Sequence, residues 1–427
     1  MKLQRVAIIC GSRIPFQRAG TAYQDLMSYQ LGAMAIKGLM TKAGVDTDQV
    51  QKVIMGTVVH NISTPNVARE SGLTAGIPRT APAHTISQAC ISANAAISHG
   101  ADLISTGQAD VIVAGGTDSV SDIPIPFRKE MRKKLFAAQK IKKPAEMLKF
   151  IASLRPADFK PAVPQIAEFT TGRTMGQDCD LMAARYTIGR EAQDEFAARS
   201  HQLAAKAAEA GILDDEISAA EFAPSFKPVS ADNTYRGDTS AKKLSKLRPA
   251  FDKKNGTLTA GNSSALTDGA AAVLLMSESK AKELGLTPKA YIKAYTFTGQ
   301  DPDEELLLGP AYATYRLLNQ EKLGLKDIDV FEYHEAFAAQ ILTNLQCLDS
   351  DQWAKEKLNL KSKLGEIPMD KFNIHGGSLS LGHPFGATGA RLVTTAMNRL
   401  NREDGKLALV AACAAGAHGH AMLLERA

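Results

Sequence analysis

The chain has 427 residues, 44% of them hydrophobic and 22% charged, and carries a formal net charge of +5. That is the make-up of an ordinary globular protein long enough for two or three domains. The small positive balance suits an anionic small ligand and argues against a dedicated nucleic-acid binder. No apolar run is long enough to cross a bilayer, and no signal peptide precedes the first strand-like run, so a cytoplasmic protein is expected.

In chain order, Val6-Ala7-Ile8-Ile9-Cys10 reads as a strand and residues 26–43 as a helix. Val53-Ile54-Met55 and Val111-Ile112-Val113-Ala114 read as buried strands, with a helical pattern at 93–106 between them. From 123 the character changes. Pro124, Pro126, Pro144, Pro156, Pro161 and Pro164 break up the early part, and residues 128–160 hold eleven Lys/Arg against Glu130, Glu146 and Asp158. Leu135, Phe136, Ile141, Met147, Leu148, Phe150 and Ile151 lie between those charges, the pattern of an amphipathic helical hairpin. A further helical pattern follows at 190–211. Alternation of strands and helices resumes at 285, with strands at Val330–Tyr333 and Leu407–Ala411.

The two ends look like weak copies of each other. "AGVDTDQVQKVIMGTVVH" matches "LGLKDIDVFEYHEAFAAQ" in style, and "QACISANAAISHGADLISTGQADVIVAGG" matches "SLGHPFGATGARLVTTAMNRLNREDGKLALVAACAAG". A duplicated, βαβ-rich α/β fold is expected, with equivalent loops of the two copies facing one site. The expected division is residues 1–122 plus 257–281, an inserted loop domain at 123–256, and residues 282–427.

Five cysteines (Cys10, Cys90, Cys179, Cys347, Cys413) are far apart, odd in number and without Cys-x-x-Cys spacing, so neither disulfides nor a metal site is expected. Cys90 stands where strand or loop gives way to a helix, whose dipole would lower the thiol pKa. His383 sits in a Gly-His-Pro-Phe-Gly turn, where an imidazole can act as base for a cysteine. Cys413 ends a strand and enters a turn of small residues whose backbone N–H groups can hold an oxyanion. His334, in Tyr333-His334-Glu335-Ala336-Phe337, is again at a strand end. Taken singly, each reads more readily as a core thiol or a loop imidazole.

Taken together, these segments resemble the signatures of the thiolase family. The resemblance runs over nearly the whole chain, through "LTAGNSSALTDGAAAVLLMSE" (258–278), "HEAFAAQ" (334–340), "GGSLSLGHPFGATGAR" (376–391) and "CAAGAHGHAM" (413–422). "HEAF" for the commoner "NEAF" and "CAAG" for "CxGG" resemble the branch of trifunctional-enzyme β-subunits and bacterial 3-ketoacyl-CoA thiolases. The resemblance implies a layered α-β-α-β-α fold and reversible, ping-pong thiolysis of a 3-ketoacyl-CoA. Cys90 would be the nucleophile and His383 its base. Cys413 would be acid/base, His334 part of the enolate site, and the Ala415 N–H an oxyanion donor. Coenzyme A enters as substrate, with no resident cofactor and no metal. Ser264 and Met175 would line its pantetheine channel, and Arg236 is either a partner for its phosphates or a solvated loop charge.

The resemblance also implies a homodimer or tetramer and a hydratase/dehydrogenase α-subunit as partner. The basic stretch 128–160 is open to three readings: a solvated face, an attractor of anionic CoA, or a contact with a membrane or partner. Three other functions stay in view. One is an acetyl-CoA C-acetyltransferase acting mainly on acetoacetyl-CoA. The second is a decarboxylating ketoacyl-synthase-type condensing enzyme, against which a second thiol at Cys413 argues. The third is a non-catalytic scaffold, against which the intact Cys90, His383 and Cys413 argue.

Overall fold

The computed structural model of the protein describes residues 3–163 and 167–427; Pro164 lies outside the described residues. Among the described residues ten strands carry the fold: β1 Val6–Arg13, β2 Gln17–Arg18, β3 Lys52–Gly56, β4 Ala83–Ile86, β5 Val111–Asp118, β6 Thr267–Ser277, β7 Ala290–Gly299, β8 Val330–Tyr333, β9 Leu407–Ala414 and β10 His418–Arg426. Their hydrogen-bonded order is β4-β3-β5-β6-β1-β7-β10-β9-β8, with β2 paired to β6.

The duplication is visible in that order. In the first copy β1 pairs antiparallel with β6, β6 with β5, and β5 runs parallel to β3. In the second, β7 pairs antiparallel with β10, β10 with β9, and β9 runs parallel to β8. The segments matched by eye in the sequence are therefore the β3/β8 and β5/β9 equivalents. The copies join where Val6–Ile8 of β1 pair with Ala290–Ile292 of β7. The connection from β9 to β10 is three residues long, 415–417, whereas its counterpart from β5 to β6 spans 119–266 and contains the helices Lys129–Ala138, Pro144–Ala152, Met175–Arg185 and Arg190–Glu209.

Period-2 alternation along the strands sorts side chains into separate cores, and this builds the layers. Ile112 and Ala114 point to a central core while Val111 and Val113 point to an outer one. Likewise Ala408, Val410 and Ala412 face the centre, and Leu409, Ala411 and Cys413 face the opposite outer core. The central core is filled by helices Ser92–Ser105 and Thr388–Arg402, which bury residues on nearly every face, as a helix enclosed between two sheets must. The order is helix, sheet, helix, sheet, helix.

Strand β5 and the turn before helix Thr388–Arg402 approach so closely that a Cβ on Gly116 would lie 1.8 Å from the Gly386 carbonyl oxygen. No helix among the described residues is long and apolar enough to cross a membrane.

Candidate active site

Between β4 and helix Ser92–Ser105 the chain makes a tight corner. Ala89 takes a left-handed φ of 46°, which costs a non-glycine residue roughly 1 kcal/mol. The Ser92 hydroxyl staples the corner, accepting from the Gln88 N–H at 2.8 Å and donating to the Ala89 carbonyl at 2.7 Å. Cys90 follows Ala89 and is half-buried. The backbone N–H groups of Ala415 and of Cys90 itself are close enough to the sulfur to favour its thiolate. Burial nevertheless pushes the thiol up to about 12, with the Asp118 charge adding to the rise. The lowering expected from the helix dipole is therefore outweighed. Two N–H donors and a helix start whose cap, Ile91, contributes no side-chain bond do not offset removal of the sulfur from water. The resting group is a thiol.

His383 and His334 stand over it, ring centroids 4.0 Å apart and planes inclined at 42°. The Cys90 sulfur and one nitrogen of each ring all lie within 4.8 Å of one another. His383 is anchored by its N–H donating to Thr267 Oγ1 at 2.7 Å, and its Nδ1 lies 2.6 Å from Thr388 Oγ1. His334 extends the end of β8, its N–H donating to the Ala411 carbonyl at 2.8 Å, and its Nδ1 lies 2.8 Å from Ser378 Oγ. Both Nε2 atoms are buried without a hydrogen-bond partner among the described residues. Burial and the Arg391 charge bring His383 down to about 3; burial, His383 and Arg391 likewise hold His334 well below the ordinary imidazole range. Both rings are neutral at physiological pH.

Cys413, at the end of β9, is buried beside Cys90: burial raises its thiol pKa, and a charge on Cys90 raises it further. The turn that follows has left-handed φ values at Gly416 (81°) and Ala417 (55°). That turn carries the Ala415 N–H to Cys90. The structure thus brings Cys90, His334, His383, Cys413 and Ala415 together. Ser264 lies in the loop against the His334 segment, its N–H donating to the Ala336 carbonyl at 3.0 Å. Met175, first residue of its helix, packs on the core that holds Cys413. Arg236 stands apart: its side chain is exposed, forms no ion pair among the described residues, and its backbone N–H donates to His201 Nδ1 at 3.2 Å.

Four residues that support this site were not read from the sequence. Asp118, the last residue of β5, accepts from Thr57, Val58, Val59 and Gly386. Ser378 and Thr388 hold the two imidazoles. Arg391, fully buried, donates to Ser378 at 2.8 Å. A signal was present for two of them: Asp118 and Arg391 are charges at the end of an apolar strand and in the first turn of a buried helix, where charge is rare unless paired.

Residues 6–279 match the family model described as "Thiolase, N-terminal domain", and 286–426 match "Thiolase, C-terminal domain". The chain is similar to the mitochondrial trifunctional enzyme subunit beta of Bos taurus, 48% identical over 99% of this chain and 88% of that one. It is 44% identical to a 3-ketoacyl-CoA thiolase of Pectobacterium atrosepticum, over 99% of this chain and 96% of that one. Among solved structures, the acetyl-CoA acetyltransferase of Bacillus anthracis superposes with a TM-score of 0.84 at 32% identity, covering 100% of both chains.

Proposed function

The chain belongs to the thiolase family, and we propose that it cleaves 3-ketoacyl-CoA with free CoA to give acetyl-CoA and an acyl-CoA shortened by that unit. The observation that supports this most directly is the cluster itself: a Cys90 thiol with two neutral imidazoles within 4.8 Å, the Ala415 N–H near its sulfur, and a second thiol within electrostatic reach.

Each step follows from a position. The His383 Nε2 takes the Cys90 proton as the sulfur attacks the keto carbon. The Ala415 and Cys90 N–H groups hold the oxyanion that forms. The bond between C2 and C3 breaks, leaving the acyl group on Cys90. The thioester enolate that departs is held by His334 and His383, and Cys413 protonates its carbon. Free CoA then attacks the acyl-Cys90 carbonyl and carries the acyl group away. Run backwards, Cys413 removes a proton from acetyl-CoA. No metal takes part in this scheme. Ser264 and Met175 line the pantetheine arm, and the exposed Arg236 meets the nucleotide phosphates as a multi-donor cation.

For assembly, the name of the Bos taurus relative, a subunit beta, supports pairing with a second, α-type subunit, which we read as a hydratase/dehydrogenase; a homodimer or tetramer is part of the same proposal. The hairpin Lys129–Ala138 and Pro144–Ala152 buries only Met131 and exposes Phe136, Leu148 and Ile151 among its lysines. We read it as a contact for an anionic membrane surface.

The solved acetyl-CoA acetyltransferase keeps one second reading open, an enzyme confined to acetoacetyl-CoA. Thiolysis rates across a series of 3-ketoacyl-CoA lengths, with Cys90→Ala as control, decide between them. Turnover of six-carbon and longer substrates with an acyl group found on Cys90 is the expected result. Cleavage of acetoacetyl-CoA alone would select the second reading, and full activity in Cys90→Ala would overturn both.

A further inference from the structure

The two facing imidazoles differ in what stands behind them. Behind His334, Ser378 Oγ already accepts a hydrogen bond from Arg391 Nη2 at 2.8 Å, and a guanidinium can only donate. The remaining contact of Ser378 Oγ among the described residues is His334 Nδ1 at 2.8 Å. If Nδ1 carried the proton, the serine hydrogen would be buried with no acceptor. If the serine donates, every group is satisfied, Nδ1 is bare and the ring proton sits on Nε2. Behind His383 the order reverses. Thr388 Oγ1 lies 3.0 Å from the Pro384 carbonyl oxygen, which can only accept, and 2.6 Å from His383 Nδ1. Thr388 has one hydrogen, so both contacts are bonds only if it donates to Pro384 and accepts from Nδ1–H. That leaves His383 Nε2 bare.

We propose that Arg391 with Ser378, and Thr388 with Pro384, are positioning groups that lock the two histidines in opposite tautomers: His334 presents an N–H donor to the pocket, and His383 presents a lone pair. This rests on the reading of the pocket as a thiolase site and assigns its two imidazoles different work. His383 can take the Cys90 proton; His334 can hold the enolate oxygen without ever being protonated.

Arg391 suits this by having no close ion pair of its own, although Glu332, Glu216 and Glu335 lie within electrostatic reach. Among the described residues its Nε and Nη1 have no hydrogen-bond partner, and its one carboxylate contact within 4 Å, Glu332, is at 3.7 Å. Glu332 is bonded more closely by Arg399, at 2.9 Å. The unspent charge of Arg391 thus falls on Ser378 and the histidines, and it opposes protonation of both rings. A buried cation so placed is costly unless its direction matters.

Imidazole tautomers are read directly by two-bond proton–nitrogen correlation in protein labelled with 15N-histidine, without substrate at neutral pH. His334→Asn and His383→Asn identify the two signals. Expected is a proton on Nε2 of His334 and on Nδ1 of His383; the same tautomer in both rings, or an averaged pattern in either, overturns the proposal. In Ser378→Ala the His334 signal should lose its pure Nε2–H pattern while His383 keeps its own, and kcat should fall by on the order of tenfold to a hundredfold with KM nearly unchanged. An unaltered His334 tautomer in that variant overturns the relay. Because the tautomers are read in resting protein, opposite tautomers in a chain without thiolysis would sink the function and leave this inference standing.

Discussion

The backbone N–H of Gly386 donates to a carboxylate oxygen of Asp118 at 2.5 Å, so that the end of β5 in one copy of the fold holds the His383 turn of the other. The same carboxylate accepts from the Thr57 hydroxyl at 2.9 Å and from the Val58 and Val59 N–H groups at 3.0 and 2.8 Å. Burial raises its pKa despite these donors, yet four donors converging on one side chain leave no place for a proton. Asp118→Ala strands all four and should cost roughly 3–5 kcal/mol in urea unfolding, along with most of kcat. Asp118→Asn keeps the shape but turns one acceptor into a donor, and should cost less. Equal stability of all three proteins in urea would show that this bond does not tie the copies together.

The resting state of the nucleophile is open to a direct titration. With the Cys90 thiol pushed up to about 12 and His383 brought down to about 3, the pair is thiol and neutral imidazole across the working pH range, not thiolate and imidazolium. A raised thiol pKa means that thiolate is the minor form until pH passes that value. Iodoacetamide alkylation of Cys90, followed by peptide mass, should therefore climb about tenfold per pH unit from pH 6 to 9 without levelling. A plateau between pH 5 and 8 would mean a preformed ion pair and a different activation mechanism.

Much of this arrangement was legible because strands β3, β5, β8 and β9 are short apolar runs with a clear edge, and because the reactive residues stand at strand or helix ends. Strands β6, β7 and β10 were not read. The first opens with Asp268-Gly269-Ala270 after Thr267, the last begins His418-Gly419-His420, and the Asp, Gly and Ala residues disfavour strand; pairing along the sheet makes these segments strands. The supporting residues escaped for a related reason. Ser378 and Thr388 look like ordinary turn and helix-start hydroxyls until the fold sets an imidazole against each. Arg391 carried a signal as a charge in an otherwise apolar helix start, but the partner that gives it a role, Ser378, is set against it only by the fold.

The hairpin reading also separates two kinds of lysine. Lys134 closes the hairpin, its Nζ 2.6 Å from Asp158, so it serves the fold. Lys133, Lys140, Lys142 and Lys149 are exposed and form no ion pair among the described residues. At about 1 kcal/mol per lysine near an anionic surface, reversing these four to Glu should weaken binding to anionic vesicles by a thousandfold or more. Thiolysis of soluble substrate should stay as it was. Unchanged co-sedimentation with vesicles would reject the membrane contact, and loss of a bound α-subunit instead would reassign the surface to that partner.

The last expectation concerns metal. Cys90, His334 and His383 offer one sulfur and two nitrogens within 4.8 Å of one another, and these are the ligand types that zinc prefers. In the proposed reaction that site belongs to the substrate, so zinc should inhibit. The protonation states fix how. The neutral rings release no net proton on binding, although His334 must first move its ring proton from Nε2 to Nδ1, whereas the Cys90 thiol must lose a proton to become a ligand. Zinc inhibition should therefore tighten by about tenfold for each pH unit between about pH 6 and 8, and a chelator should reverse it. Prolonged dialysis against the same chelator should leave the uninhibited rate untouched. A rate that collapses on dialysis would make the metal a working part of the enzyme. Inhibition indifferent to pH would place the ion on some other set of groups, because no displaced thiol proton would then stand between zinc and its site.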